Sequence, residues 1–209
     1  MGQSPKKLAA VLTAGVLALT LAACGDDGAT GDPQAEQTAA NGDVFNQTDV
    51  DFATDMIPHH AQALVMVDMT QGHDLSPEVQ TLTEEIRAAQ GPEVEQMVDW
   101  LTAWDQPIPQ TMRDHANSED HDMGEDDTGE DSEMPGMMTD EQMAELEDAR
   151  GDHFETMWLT MMVEHHEGAV QMAQDEQEHG VFGPTKELAE SIESTQQEEI
   201  DHMQDLLAG

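Results

Sequence analysis

The chain has 209 residues, of which 46 are Asp or Glu and 6 are Lys or Arg, so its formal net charge at pH 7 is −40. Nucleic acid is excluded as a partner, because binding phosphates requires clustered Lys and Arg. The single cysteine, Cys24, excludes an intramolecular disulfide and a covalently attached c-type haem. Any metal site must therefore use His, Met, carboxylate or amide ligands.

The first 24 residues predict export and lipid anchoring. Lys6 and Lys7 precede an apolar stretch over residues 8–23, which is too short to span a bilayer and indicates a signal peptide over residues 1–23. The stretch ends in Leu21-Ala22-Ala23-Cys24, which resembles the lipobox of bacterial lipoproteins. That resemblance implies cleavage before Cys24 and lipid on its sulfur. Since the acidic chain repels anionic headgroups, this lipid is the expected attachment to the membrane, on its extracytoplasmic side.

Two segments of the mature chain are low in complexity. Residues 24–43 are small and polar and predict a flexible tether, and residues 106–138 form an acidic linker rich in Met. The remaining segments, 44–105 and 139–209, have helical periodicity and few strand signals. We therefore expect two helical units on either side of the linker.

The two helical units are copies of one pattern. When the sequence is shifted by 106 residues, Met56–His60 aligns with Met162–His166, and the flanking apolar positions align without a gap. Both segments begin with Met and end with a His-His pair. So many matches in a single register indicate a duplication.

Each copy has the periodicity of a helical hairpin, with apolar residues three and four apart. The predicted helices cover about residues 49–71, 77–103, 139–178 and 185–207. Because neither hairpin buries its apolar face alone, we expect an all-α fold, a ferritin-like four-helix bundle made of the two repeated hairpins over residues 44–209. The long linker allows a crossover in which the first and third helices run antiparallel and their histidines meet.

The histidine pairs are the candidate metal ligands. A Met three residues before the first His lies on the same helix face, so thioether and imidazole groups converge there. Thioether sulfur favours Cu(I), and imidazole suits Cu(I), Cu(II) and Zn(II), so a Met and His set without Cys favours copper over zinc or iron. The predicted ligands are Met56, His59, His60, Met162, His165 and His166.

Two further sets carry weaker expectations. Candidates for a secondary metal site are Met66, Met69, His73, Met172, His179, His121 and Met123, of which the last two lie in the linker. Candidates for side chains that hold the ligands in place are Gln90, Glu93, Met97, Gln196, Glu199 and Met203. Against these readings, most methionines of a helical bundle are core filler, linker residues are commonly solvated, and helix glutamates are commonly surface charges.

The histidine segments resemble a known bacterial family. Phe52-x-x-x-Met56-Ile57-Pro58-His59-His60-x-x-Ala63 and Met161-Met162-x-x-His165-His166-x-x-Ala169 are similar to the family called domain of unknown function 305. The resemblance covers about residues 44–207 and implies a ferritin-like fold outside the cytoplasm. Some members are associated with copper binding and copper tolerance, so the resemblance implies a copper role here.

Three classes of function remain open at this point. The leading hypothesis is a lipoprotein that binds copper for buffering, sequestration or tolerance. A ferritin-like metal oxidase is the second, because Glu199-x-x-His202 matches the Glu-x-x-His of di-iron bundles, although Gln96 replaces the His in the first copy. A structural or interaction lipoprotein whose histidines fill the core is the third. The sequence indicates no particular protein partner.

Overall fold

The computed structural model describes residues 34–112 and 134–209. Cys24, His121 and Met123, with the predicted signal peptide, lie outside these residues. The elements are β1 Gln37–Thr38, β2 Val44–Phe45, α1 Gln47–Met69, α2 Pro77–Ala103, α3 Asp140–Asp148, α4 Asp152–His179 and α5 Gly183–Ala208. The prediction of a mainly helical protein is confirmed. In the part of the chain that is described, no helix has the length and apolar character needed to cross a membrane.

Helix α1 begins where its capping residues place it. The Asn46 side chain accepts a hydrogen bond from the Asp49 backbone N–H, and the Asp49 carboxylate accepts one from the Asn46 N–H. This reciprocal pair satisfies two N–H groups that the first helical turn leaves free. Helix α2 begins at Pro77 after Ser76, whose hydroxyl accepts from the Val79 N–H. These local signals explain why the predicted helix starts lie close to the observed ones.

The prediction of one continuous helix over residues 139–178 is wrong. The chain leaves the helical conformation at Ala149. Gly151 then adopts a φ of +58°, a backbone conformation that is unfavourable for residues with a Cβ atom. The break separates α3 from α4 and lets α3 bury Met143 and Leu146 against the other helices. Both sides of the break are amphipathic, so hydrophobic periodicity gives no sign of it.

A small two-stranded ladder precedes α1. Strands β1 and β2 pair antiparallel, with Gln37 opposite Phe45 and Thr38 opposite Val44. The Phe45 ring stacks on Trp104 at the end of α2, with ring centroids 4.6 Å apart. The ladder therefore ties part of the predicted tether to the helices, and strands of two residues are too short to leave an alternating pattern in the sequence.

The core consists of two apolar clusters at opposite ends of the helices. The first joins α3 to the C-terminal halves of α1 and α5 and the N-terminal halves of α2 and α4, and it includes Met66, Leu82, Leu146, Trp158 and Met203. The second joins the opposite halves of the four long helices and includes Phe45, Phe52, Leu101, Ala173 and Ile192. In each cluster, one end of α1 meets the opposite end of α4, so these two helices pack antiparallel. The histidine pairs lie at mid-helix, between the two clusters.

Two carboxylates, one at the start of the first helix of each hairpin, link that hairpin to the other. Asp49 at the start of α1 accepts hydrogen bonds from the backbone N–H groups of Val181 (3.1 Å) and Phe182 (2.9 Å), just before α5. Glu155, the equivalent residue in the second copy, accepts from the Ser76 N–H (2.7 Å), just before α2. A negative charge stabilises a helix start through the free N–H groups there. The first helix of each hairpin thus supports the second helix of the other.

A second buried carboxyl lies next to Asp49. The Thr185 hydroxyl is 2.5 Å from Glu176 Oε1 and 2.8 Å from Asp49 Oδ1, and all three residues are fully buried. Burial raises the pKa of Glu176 to about 8, a hydrogen bond with Thr185 lowers it, and the neighbouring Asp49 raises it further. Glu176 is therefore protonated at neutral pH, which lets two carboxyl groups share this buried position.

We expect Glu176 to make stability depend on pH. Its pKa is about 8 in the folded protein against an ordinary value of 4.5, so between these values the folded state holds a proton that the unfolded chain has released. The free energy of unfolding therefore falls as the pH rises from about 4.5 to about 8. Glu176→Gln removes this loss, so relative to wild type it should gain more than about 2 kcal/mol between pH 5 and pH 9 in urea denaturation.

Glu178→Gln is the matched control, because Glu178 is exposed on the same turn of α4. It should follow the wild-type pH dependence. If Glu176→Gln follows it as well, Glu176 is not a buried, protonated group.

Candidate metal centre

Four histidines meet at the centre of the molecule. His59 and His60 on α1 and His165 and His166 on α4 are each fully buried. The His59 and His165 rings are in contact, with centroids 3.8 Å apart, and each is flanked by its neighbour in sequence at 6.5 Å and 6.3 Å. The antiparallel packing of α1 and α4 therefore connects the four imidazoles in the order His60, His59, His165, His166.

Glutamates on the second helix of each hairpin hold the outer histidines. His60 Nε2 lies 2.7 Å from Glu93 Oε2 on α2, and His166 Nε2 lies 2.7 Å from Glu199 Oε2 on α5. The two contacts are equivalent, since each residue of the second pair stands 106 positions after its counterpart. With a carboxylate as partner, Nε2 carries the proton and donates it, so Nδ1 keeps the lone pair with which imidazole binds metals.

The inner histidines differ from each other. His59 Nε2 lies 3.2 Å from the Pro135 carbonyl oxygen, so this nitrogen is the donor and Nδ1 again carries the lone pair. Both ring nitrogens of His165 lack a hydrogen-bond partner among the described residues. The sequence already distinguishes the two sites, because Glu164 stands where the first copy has Pro58. In the structure, His59 alone of the two inner rings has a hydrogen-bond partner among the described residues.

Several buried nitrogens at this centre have no hydrogen-bond partner among the described residues: Nδ1 of His59, His60, His165 and His166, and Nε2 of His165. Leaving a buried polar atom unpaired costs about 1–3 kcal/mol, so native proteins rarely do so without a function for the group. Four such rings in contact are a costly arrangement for a core with no ligand. A metal ion accepts the lone pair of a neutral imidazole and relieves this cost.

The inner rings are neutral. Burial, followed by the neighbouring His60, lowers the pKa of His59 to about 3, although its hydrogen bond with Pro135 acts in the opposite direction. Burial and the adjacent His59 likewise hold the pKa of His165 well below its ordinary value. Neutral imidazole is the form that binds metal ions, so protons do not compete for these two rings at physiological pH.

Thioether and amide groups are buried on the same helices. Met56 and Met162 precede the inner histidines by one turn and are fully buried. Gln90 and Gln196 lie one turn before the glutamates on α2 and α5, and the Gln90 amide nitrogen and both amide oxygens lack hydrogen-bond partners in the described residues. Met97 and Met203, four residues after the glutamates, are also fully buried.

The described histidines do not form a closed metal cage. Within residues 34–112 and 134–209, no three His, Cys, Asp or Glu side chains converge closely enough to hold an ion together. The imidazoles form an extended series instead of surrounding one point. Their chemistry is that of soft-to-intermediate donors in a buried site, with carboxylates bound behind the outer rings.

The first secondary grouping of Met and His does not come together. Met66 is buried in the first apolar cluster, and its carbonyl accepts a hydrogen bond from the Trp158 indole. Met69 and His73 line a separate pocket of about 510 Å³, where the His73 ring stacks on Phe154 at 3.6 Å. This stacking gives His73 a packing contact, and Met66 does not line the pocket.

The second grouping lies elsewhere. Met172 and His179 line a groove between α1 and α4, where His179 Nδ1 is 3.0 Å from the Asp175 carboxylate. His202, the histidine of the Glu-x-x-His motif, is exposed, while Glu199 is engaged with His166. The described geometry therefore does not assemble the di-iron pattern from this motif.

A segment of the chain that was not predicted from the sequence crosses the centre. Met138 exchanges two backbone hydrogen bonds with the Gln62 side chain on α1, at 2.8 and 2.7 Å. On α4 the same segment lies so close to Gly168 that an added Cβ would be 1.9 Å from the Pro135 carbonyl oxygen. We name residues 134–138 the strap. Its one signal in the sequence is Gly168, which stands where the first copy has Gln62.

The same fold occurs in several solved structures. A DUF305 protein from Streptomyces coelicolor is 32% identical, with 77% of this chain and 92% of that chain covered and a TM-score of 0.63. A DUF305 fragment from Deinococcus radiodurans is 27% identical over 82% and 99% of the two chains, with a TM-score of 0.65. CopM in its Cu(II)-bound form is 24% identical over 77% and 95%, with a TM-score of 0.60.

No curated protein matches the sequence significantly. The family model for the domain of unknown function DUF305 matches residues 49–207, which include both histidine pairs and all four long helices apart from their outermost residues. The chain therefore belongs to the DUF305 family.

Proposed function

We propose that this protein binds copper outside the cytoplasm, at its four buried histidines, for buffering, sequestration or tolerance. One observation carries the proposal: four fully buried imidazoles lie next to one another, and the Nδ1 atom of each has no hydrogen-bond partner among the described residues. Hydrogen bonds to Glu93, Glu199 and Pro135 set the tautomers of three rings so that these atoms are lone-pair donors.

The chemistry of the donors supports the assignment. Each histidine pair has a fully buried methionine, Met56 or Met162, one turn before it on the same helix. Soft sulfur and imidazole, without cysteine, favour copper over zinc or iron.

CopM has this fold and is known in Cu(I)-, Cu(II)- and Ag-bound forms. At 23–24% identity the likeness concerns the fold, so the proposal for this chain depends on its own histidines. The lipobox supports the further proposal that lipid on Cys24 holds the protein at the outer face of the cell membrane. No described contact favours the oxidase hypothesis, because Glu199 is bound to His166 and His202 is exposed.

We expect tight Cu(I) binding that depends on the buried histidines. The mature chain with Cys24→Ser, which removes the lipid and the thiol, is titrated with Cu(I) against a competing chelator. Copper at 100 times its dissociation constant should stabilise the native state by about 2.7 kcal/mol in denaturation. His60→Ala with His166→Ala should abolish most of this stabilisation.

The matched control is His153→Ala with His202→Ala, which removes two exposed histidines. Unchanged thermal stability of the wild type with copper present would refute metal binding and favour a structural role for the histidines. Tight binding that survives the loss of all four buried histidines would move the site to other residues.

We also expect the glutamates behind the outer histidines to tune copper affinity. Glu93→Gln with Glu199→Gln keeps a hydrogen-bond acceptor but removes the negative charge that makes the ring a stronger donor. Loss of such a partner typically lowers metal affinity 10–100-fold, and we expect a fall of about that size here. The control, Glu95→Gln with Glu198→Gln, changes exposed glutamates on the same two helices. Equal affinities in both double variants would show that Glu93 and Glu199 are ordinary helix charges.

A further inference from the structure

The strap separates one inner histidine from solvent. Pro135 is an exposed residue and lines the open groove between α1 and α4. Its carbonyl oxygen nevertheless lies 3.2 Å from Nε2 of His59, whose side chain is fully buried. At this place, therefore, the cover over the histidine centre is a single backbone segment.

The strap crosses both helices at equivalent positions. Gln62 on α1 and Gly168 on α4 are 106 residues apart, and each follows its inner histidine by three residues, which places it on the same helix face. The strap backbone lies directly on the α4 backbone, since a Cβ added to Gly136 would be 2.6 Å from the Glu164 carbonyl oxygen and 2.9 Å from that of His165. The strap therefore rests on the two helical turns that carry the inner rings.

Gln62 is the residue that holds the strap on α1. Its buried amide donates a hydrogen bond to the Met138 carbonyl oxygen (2.8 Å) and accepts one from the Met138 N–H (2.7 Å). The same amide nitrogen lies 3.7 Å from the Met112 sulfur. Met112 and Met138 stand on either side of residues 113–133, so the two described flanks of the acidic linker meet on one side chain. Because a buried amide is costly without partners, these contacts also stabilise Gln62 in its position.

The two ends of the strap are held by different kinds of contact. The Met138 side chain is buried in the first apolar cluster, which anchors the C-terminal end. Pro135 is exposed and Gly136 has no side chain, so this end is held by backbone contacts with α4 and by the hydrogen bond with His59. Segments with few buried apolar contacts open locally at lower free energy than the core. The Pro135 end is therefore the part of the cover that opens most readily.

We propose that the strap is a gate, held closed by Gln62, through which copper enters and leaves the histidine centre. The proposal rests on the proposed function, because it assigns the regulation of that same site. Opening of the strap uncovers His59. Closing restores the Pro135 carbonyl as the acceptor for Nε2, which leaves Nδ1 of His59 as the lone-pair donor.

Gln62 acts through the strap, so it is a positioning residue. It binds the closed strap whether or not the centre holds copper. An interaction that is made equally in both states does not change the equilibrium between them. Weakening it should therefore speed both the entry and the release of copper while the dissociation constant stays the same.

Two variants weaken the closed strap by different physical means. Gln62→Leu approximately keeps the side-chain volume but leaves the N–H and carbonyl groups of Met138 without their partners. Gly168→Ala places a Cβ 1.9 Å from the Pro135 carbonyl oxygen, so the strap must move. Gln62→Leu tests the gate by itself if Gly168→Ala does not fold.

Each of these strap variants has a matched control on the surface. Gln80→Leu removes an exposed amide of α2 that donates to the Leu75 carbonyl oxygen. Thr160→Ala introduces an alanine at an exposed position of α4, where the hydroxyl donates to the Thr156 carbonyl oxygen. Neither hydrogen bond involves the strap.

The first measurement is made without copper, on the mature chain with Cys24→Ser. Hydrogen exchange of the Met138 amide, followed by NMR, should be about tenfold faster in both strap variants, the effect of losing roughly one net hydrogen bond. In Gly168→Ala the Gln62 acceptor is intact, so faster exchange there reports movement of the strap. The controls should match the wild type.

The second measurement is the transfer of Cu(I) from the loaded protein to bathocuproine disulfonate, followed by absorbance. The chelator is in such excess that the rate no longer depends on its concentration, so the rate reports release from the protein. We expect release to be about tenfold faster in both strap variants, in proportion to the faster opening, and unchanged in the controls. The dissociation constant, from equilibrium competition with the same chelator, should match the wild type in all four.

Each contrary result has its own meaning. Release at the wild-type rate in both strap variants would overturn the gate and leave the proposed function in place. Unchanged exchange of the Met138 amide in both would overturn the role of Gln62 in holding the strap closed. A loss of affinity as large as the gain in release rate would also overturn the gate, since the strap would then hold bound copper without controlling its entry. Wild-type protein that binds no copper would overturn the proposed function and the gate together.

Discussion

The burial of four imidazoles between two antiparallel helices is the constraint on which the rest of the structure depends. Each ring must be neutral or paired, because an isolated charge in this position is strongly destabilising. Glu93 and Glu199 meet this requirement for the outer rings, and the strap meets it for His59. Helices α2 and α5 therefore supply polar partners at mid-length as well as apolar residues at their ends. The apolar clusters lie on either side of this polar layer.

The two halves of the chain have equivalent helices, but those helices have different surroundings. The outer contacts recur 106 residues apart, whereas the strap contacts only one inner ring. Gln62 binds the strap through its amide, and Gly168 at the equivalent position admits the strap backbone to α4. One crossing segment therefore makes two similar helices inequivalent.

Local signals in the sequence predicted most of the helices and the meeting of the histidines. The capping residues Asn46 and Ser76 mark helix starts, and the duplicated His-His segments mark the equivalent positions of α1 and α4. Each of these signals depends only on residues close together in the sequence. The break at Gly151, the strap and the groove could not be predicted, because each depends on contacts between residues far apart in the chain. Pro135 shows this well, since its carbonyl matters only once the strap lies on His59. Nothing in the spacing of the linker indicates that placement.

In each hairpin, a carboxylate binds the backbone at the start of a helix in the other hairpin. This exchange suggests how a protein with two copies of one hairpin arose. Asp49 serves the entry to α5 and Glu155 serves the entry to α2, so a hairpin on its own lacks the acceptor for one helix start. Two copies of one hairpin, related by a twofold axis, would supply that acceptor to each other in a symmetric dimer. Joining the copies in one chain removes the requirement that they be identical. The second half has Glu176 where the first half has Thr70, so the two halves are no longer identical at this buried position.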